Sequence, residues 1–295
     1  MKLIQIKYAL CLSEYCNFSQ ASKELYITQP TLSQQISLLE QELNVKLFVR
    51  HARGVSLTDA GEEFITYARR IVNEVNSLTE SMNSYSLLSK GKVKIGLLFV
   101  FANIGIASYL ADFQALNTDI EVITYINGSV KLIEMLKNRE VDAIIFMSNE
   151  NIKNDNTLKI IKLYESEIVL VLPPDHRLSM KNQINFNDLD GENVILPDKE
   201  STLYKPIMGF FHSANSIPRV VALNSNADIS ISCAVNGMGI GFVSKDIAKV
   251  YESKKIIIRP LIPTIKITVH YAVLKETLVI PSVKKLTSYF ESFQI

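Results

Sequence analysis

Apolar residues along positions 1–88 recur at three- and four-residue spacings with few glycines, the period of amphipathic helices. The texture changes at Ser89-Lys90-Gly91. Beyond it come short β-rich runs: KVKIGLLFVF, IEVITYI, VDAIIFM, EIVLVLP, NVILP, RVVAL, GIGFVS and KITVHYAVL. Amphipathic segments such as NIGIASYLADFQAL and VKLIEMLKNR fall between them, an alternation that predicts an α/β domain with a largely parallel sheet. Inside the helical part, Thr28-Gln29-Pro30 interrupts a pattern that a single helix would carry through. Ser19 is placed to cap a short helix through about Leu25, and Tyr26 and Ile27 make a tight connection. Thr28 then caps a second helix with Pro30 in its first turn, where a missing N–H costs little. The prediction is a helix-turn-helix.

In the second helix Leu32, Ile36, Leu39 and Leu43 share one face, while Gln29, Ser33, Gln34, Ser37 and Gln41 lie elsewhere on the cylinder. Outward Gln and Ser near a helix N-terminus suit the major groove, because Gln can pair with adenine N6/N7 and hydroxyls can reach bases or phosphates. A merely solvated polar face fits this stretch about equally well. The segment that follows shifts the balance: NVKLFVRHARGVSLTDAGEEF has the form of a short hairpin that gathers Lys46, Arg50, His51 and Arg53, with Gly54 permitting a turn. Such a wing supplies affinity along phosphates without reading bases. The candidate DNA-binding set is Ser19, Thr28, Gln29, Pro30, Thr31, Ser33, Gln34, Arg50 and Arg53.

Thr58 caps a further helix whose first turn carries Asp59, Glu62 and Glu63, as the helix dipole favours. Along it Phe64, Ala68, Ile71, Val75, Leu78, Met82 and Tyr85 follow alternating steps of four and three, the a/d seam of a heptad repeat. Two readings stay open: packing on the helix's own domain, or a dimer helix that would present two reading heads to a two-fold symmetric DNA site.

Composition adds limits. The 295 residues are 47% hydrophobic and 21% charged, the proportions of a soluble globular chain with room for two or three domains. Lys plus Arg total 31 against 30 Asp plus Glu, so any basic footprint is local. The N-terminal run is broken by Gln5, Lys7 and Glu14 and does not read as a signal peptide. No apolar stretch reaches the roughly 18 residues of a membrane span. Cys11, Cys16 and Cys233 lack C-x-x-C spacing, and His51, His176, His212 and His270 are scattered singly, so a reduced cytoplasmic compartment without a metal site or cofactor is expected. Gly237-Met238-Gly239-Ile240-Gly241 leads from a helix into a strand, the reverse of a dinucleotide fingerprint. Ser179, Ser201 and Ser232 lack a nucleophile elbow, and Asp155 and Glu165 to Glu167 read as surface acids.

The residues from 18 to 64 resemble the LysR-type transcriptional regulators. They carry Thr28-Gln29-Pro30, Ser33-x-x-Ile36-x-x-Leu39-Glu40, Leu47-Phe48-x-Arg50 and Leu57-Thr58-x-Ala60-Gly61. The resemblance continues more weakly through REVDAIIF, LPPDHRLS and AVNGMGIGFVS. It implies a winged helix-turn-helix over 1–58, a linker and dimerisation helix over 59–90, and a two-lobed effector-binding domain over 91–295 that is similar to periplasmic binding proteins. The first lobe would take about 91–165 and 266–295, the second about 166–265. The implied partners are double-stranded DNA, a small-molecule effector, further copies in a homodimer or homotetramer, and RNA polymerase; no enzymatic activity or membrane partner is implied. The implied effector contacts are Phe99, Val100, Ser129 and Phe146 from the first lobe, and Ser201, Thr202 and Ser225 from the second. Two positions depart from the family's pattern. Gln34 stands where many members have Arg, and Leu98-Phe99-Val100 is apolar where Ser or Thr often binds an effector carboxylate. Phe99 and Phe101 would then either face an amphipathic ligand or fill the lobe. The rival expectation is a solute-binding or enzymatic α/β protein with a helical appendage; a pure dimerisation module is a further alternative.

Overall fold

The computed structural model describes residues 1–51, 54–84, 91–98, 105–148, 155–251 and 256–292. The chain divides into two compact units, Met1–Ser89 and Lys90–Ile295. In the first unit, helices α1 (Leu3–Tyr15), α2 (Phe18–Glu24) and α3 (Gln29–Leu43) precede an antiparallel hairpin of β1 (Phe48–His51) and β2 (Gly54–Leu57), and α4 (Asp59–Ser84) follows. Helix α2 starts two residues earlier than a Ser19 cap would allow. Phe18 has to bury in the core, so Asn17 becomes the cap, its side chain accepting from the amides of Ser19 and Gln20. Tyr26 turns the chain with φ 55°, and the Thr28 side chain accepts from the Thr31 amide to start α3, with Pro30 in the first turn.

Leu12, Phe18, Ala21, Leu32, Ile36, Leu39, Leu47 and Ile65 form the core of this unit, whereas Leu43, one turn further along α3, is exposed. The wing is tied to α3 by Glu40. This buried carboxylate accepts from the Leu47 amide (2.9 Å), the Phe48 amide (3.1 Å) and Lys46 Nζ (2.6 Å). Thr58 caps α4, its hydroxyl accepting from the Gly61 amide at 2.9 Å. At Gly61 a Cβ would lie 2.1 Å from the Leu47 carbonyl oxygen, so α4 meets the strap before β1 at a distance that excludes any side chain.

The seam of α4 divides. Ala68 is buried and Phe64 packs on the core of its own unit, so here the first turns take the intramolecular alternative. Further along, Ile71, Leu78 and Met82 are 40%, 60% and 54% exposed. Tyr85 lies outside the described residues.

The second unit runs β3 (Gly91–Leu97), α5 (Ile106–Leu116), β4 (Ile120–Ile126), α6 (Ser129–Lys137), β5 (Ala143–Ser148), β6 (Leu158–Leu172), β7 (Ile184–Asn185), β8 (Asn193–Leu196), α7 (Tyr204–Ser213), β9 (Arg219–Leu223), α8 (Ala227–Val235), β10 (Ile240–Ser244), α9 (Lys245–Val250), β11 (Ile257–Ile262), β12 (Lys266–Leu274) and α10 (Pro281–Glu291). The strand order is β4-β3-β5-β12-β6-β10-β8-β9, with β11 on β6 and β7 on β11. Two parallel triplets, β4-β3-β5 and β9-β8-β10, form separate lobes.

Strand β6 belongs to both lobes. Its first part, Leu158–Glu167, pairs antiparallel with β12, and from Ile168 onward it pairs antiparallel with β10 and β11. The largely parallel expectation therefore holds within each triplet and fails where the lobes join. EIVLVLP marked the second part of β6, while the first part alternates charged and apolar residues and is partly exposed. Strand β11 was not expected, since Pro260 weakens the pattern; it pairs with β6 over Ile257–Pro260 and with β7 only at Leu261 and Ile262, an outer position that tolerates a proline.

Candidate functional site

On the first unit, Ser19, Thr28, Gln29, Pro30, Thr31 and Gln34 are all exposed around the start of α3, and Ser33 is half-buried. Ser19, freed from capping, donates its hydroxyl to Gln29 Oε1 at 2.9 Å, which fixes the amide from the neighbouring helix. The hydroxyls of Thr28 and Thr31 are 2.8 Å apart. Arg50 extends from β1 back to α3: its Nη2 donates to Ser33 Oγ at 2.5 Å, and its guanidinium sits 4.3 Å from the centre of the Phe18 ring. The other wing charges also have partners. Lys46 pairs with Glu40, and His51 Nε2 lies 2.7 Å from Ser56 Oγ. Arg53 lies outside the described residues.

On the second unit, a cavity of about 360 Å³ opens between the lobes. Its apolar lining comes from Leu98, Met147, Ile168, Pro197, Leu203, Phe242 and Ile247, and its polar lining includes Asn127, Ser129, Lys131, Asp198, Glu200, Ser201, Thr202, Asn224, Ser225, Ser230 and Ser244. The structure brings four of the expected effector contacts together here: Ser129, Ser201, Thr202 and Ser225. Ser129 starts α6, and its hydroxyl accepts from the Met147 amide at 3.1 Å, which ties α6 to β5. Phe146 does not line the cavity. It is fully buried with Leu132, Leu136 and Ala272 and stacks on His270, because alternation along β5 turns Met147 toward the cleft and Phe146 to the other face. Phe99 and Val100, with Phe101, lie outside the described residues; their neighbour Leu98 lines the cavity.

Sequence reasoning missed Asn127, Lys131, Asp198, Glu200, Asn224, Ser230 and Ser244. Asp198 and Glu200 follow strand β8 immediately, and a charged turn at that end of a parallel strand was the available signal.

A metal arrangement is not assembled among the described residues, and His176 is not set against Ser179 as a catalytic pair. His176 lies three positions before Ser179, yet its Nδ1 accepts from the Leu178 amide and its Nε2 faces Glu192 at 3.1 Å, so neither ring nitrogen remains for a hydroxyl. No group of His, Cys, Asp or Glu in the described residues could hold a metal ion, and no described helix is long and apolar enough to cross a membrane. The glycine run at 237–241 joins α8 to β10, as its order along the chain predicts.

A winged helix-turn-helix joined to a two-lobed domain with an interlobe cavity defines a DNA-binding transcriptional regulator with a substrate-binding domain. Comparison with known families matches residues 3–62 to the bacterial regulatory helix-turn-helix protein, lysR family, and residues 88–294 to the LysR substrate binding domain. The chain belongs to the LysR family. It is 29% identical over 243 residues to the HTH-type transcriptional regulator YybE of Bacillus subtilis, covering 82% of each chain. It is 28% identical over 258 residues to AlsR of the same organism, covering 85% of this chain and 83% of that one. Among solved structures, CbnR, a LysR family transcriptional regulator, superposes with TM-score 0.72 at 18% identity over 100% of both chains, as does full-length CbnR complexed with its target DNA. Full-length OxyR from Pseudomonas aeruginosa follows at TM-score 0.66 and 19% identity, over 100% of this chain and 95% of that one. At these identities the structural likeness speaks for the fold.

Proposed function

We propose that α3 reads the major groove through Gln29, Thr31, Ser33 and Gln34, that Thr28 and the wing with Arg50 lie against phosphates, and that an effector held between the lobes alters the placement of paired reading heads. The observation that carries this reading is the bond from Ser19 to Gln29: an exposed amide at the start of a helix is already oriented by a second helix before any DNA arrives. The exposed part of the α4 seam supports pairing with a second copy, and a dimer of such dimers is the assembly the family resemblance suggests. The mixed lining of the cleft suits a ligand with an apolar body and hydrogen-bonding groups toward Ser201, Thr202 and Ser225. An effector that prefers one arrangement of the lobes shifts the population toward it, and RNA polymerase is the further partner through which that shift acts. The cytoplasm is the compartment consistent with this role.

The experiment is a titration of a duplex from the region upstream of the protein's own gene, followed by fluorescence anisotropy. Specific binding that falls steeply with salt, against weak binding of a scrambled duplex, is the expected result. Equal affinity for both duplexes at every salt concentration would contradict the assignment of α3.

A further inference from the structure

Among the described residues, the acidic side chains lining the interlobe cavity sit on one wall. Asp198 and Glu200 line its second-lobe wall, and among the described lining residues there is no arginine or histidine. Lys131 on the opposite wall has its Nζ 3.1 Å from Glu134, so its charge is already matched. Among the described residues, neither Asp198 nor Glu200 is in an ion pair.

Asp198 is also held in place. One carboxylate oxygen accepts from the Glu200 amide at 3.1 Å and the other from the Ser225 hydroxyl, so it bridges the loops after β8 and β9. Ser225 Oγ in turn accepts from the Asp198 amide at 3.3 Å. An ionised carboxylate offers about four acceptor sites, so these two bonds fix its orientation and leave it capacity for a ligand. The nearby apolar lining raises the strength of charge interactions in the cleft: an anionic ligand would meet two carboxylates at close range, and a cation would neutralise them.

We infer that the effector is a small organic ammonium, an amine on an apolar body, with the ammonium donating to Asp198 and drawn also by Glu200, and the body resting on Leu98, Met147 and Phe242. This assignment rests on the reading of the cavity as the effector site.

The test uses the full-length protein and matched probes that differ in one end group: phenethylamine, 2-phenylethanol and 3-phenylpropionate, with hexylamine, hexanol and heptanoate as the aliphatic series. Binding is read by calorimetry and as the rise in melting temperature that follows from binding the folded state. The amine of each series is expected to bind and stabilise, the alcohol less, and the acid not at all. Asp198→Asn should weaken amine binding by about tenfold or more. If that variant is itself unstable, Glu200→Gln, at an exposed position, serves instead and should weaken amines by a smaller factor without affecting alcohols.

Tighter binding of the acids, the absence of any amine binding, or amine binding indifferent to both substitutions overturns the ammonium assignment. Val130→Trp, which fills the cavity from an exposed position at the start of α6, separates this failure from failure of the site itself. Acid binding abolished by Val130→Trp keeps the cleft as the site and discards the ammonium. Probe binding that survives Val130→Trp removes the site.

Discussion

At the scale of residues, side chains at the proposed reading surface are oriented by each other in the protein alone. Gln29→Ala should lower discrimination at one base-pair position by about 1 to 3 kcal/mol, while Ser19→Ala, which leaves the amide present but free to rotate, should lower it less at the same position. A full ranking of operator variants by each mutant checks both. Arg50 was expected to act on phosphates, and its bond to Ser33 and stacking on Phe18 add a structural role. Arg50→Ala should therefore weaken specific and random duplexes alike, flatten the salt slope, and also lower the melting temperature; unequal losses on the two duplexes would remove it from the phosphate-binding set. Asp155 looked like an ordinary surface acid. A bond from Lys137, with Thr157 donating from its hydroxyl and amide, holds its carboxyl below its usual 3.8, at about 2. A depressed carboxyl stabilises the fold above its unfolded value and loses that contribution as pH falls from about 4 to about 2. The stability gap between the protein and Asp155→Asn should accordingly be constant near neutrality and close over that acid range, as acid titration of unfolding would show. Which residues of α3 are exposed was legible because helix periodicity and Pro30 fix the register of α3. The Ser33 and Phe18 partners of Arg50 and the Lys137 partner of Asp155 were not, since each comes from another element of the chain, whereas Thr157 lies two residues from Asp155.

At the scale of elements, the hairpin is a wing because Glu40 makes it one. Two backbone amides and a lysine from the strap before β1 converge on a carboxylate of α3, so Glu40→Ala would leave them without their acceptor and should destabilise the first unit by about 2 to 3 kcal/mol in chemical denaturation. Helix α4 changes character along its length: its start packs against Leu47 and Leu57 at Gly61 and buries Ala68, and its exposed turns carry Ile71, Leu78 and Met82. Ile71→Asp with Leu78→Asp places charges on the exposed turns alone, so sedimentation should show a smaller species whose helical content is unchanged. An unchanged oligomer would refute the seam as an interface. The heptad spacing could be read directly, but the point where it passes from intramolecular packing to an open face could not, because both obey the same period.

At the scale of the whole molecule, the alternation of β-rich runs and amphipathic segments made the α/β class legible, and the family's motifs supplied the two lobes. What the pattern could not convey was the direction of the joining strands, since pairing partners far apart in sequence leave no local trace. Strand β12 illustrates how far apart they are: it lies between β5 and β6 in the middle of the first lobe's sheet, although more than a hundred residues separate it from β5. During synthesis, β3, β4 and β5 emerge long before the strand that completes their sheet, and the entire second lobe is made in the interval. The nascent first lobe thus waits with the edge of β5 open, a surface on which another chain could pair. The second lobe, by contrast, has its parallel triplet and β6 available once β10 has left the ribosome. A nascent chain stalled with residues up to about 265 outside the ribosome and β12 still inside its exit tunnel should then display a protease-resistant second lobe beside a first lobe that is still digestible, and release of the remaining residues should be the event that closes it.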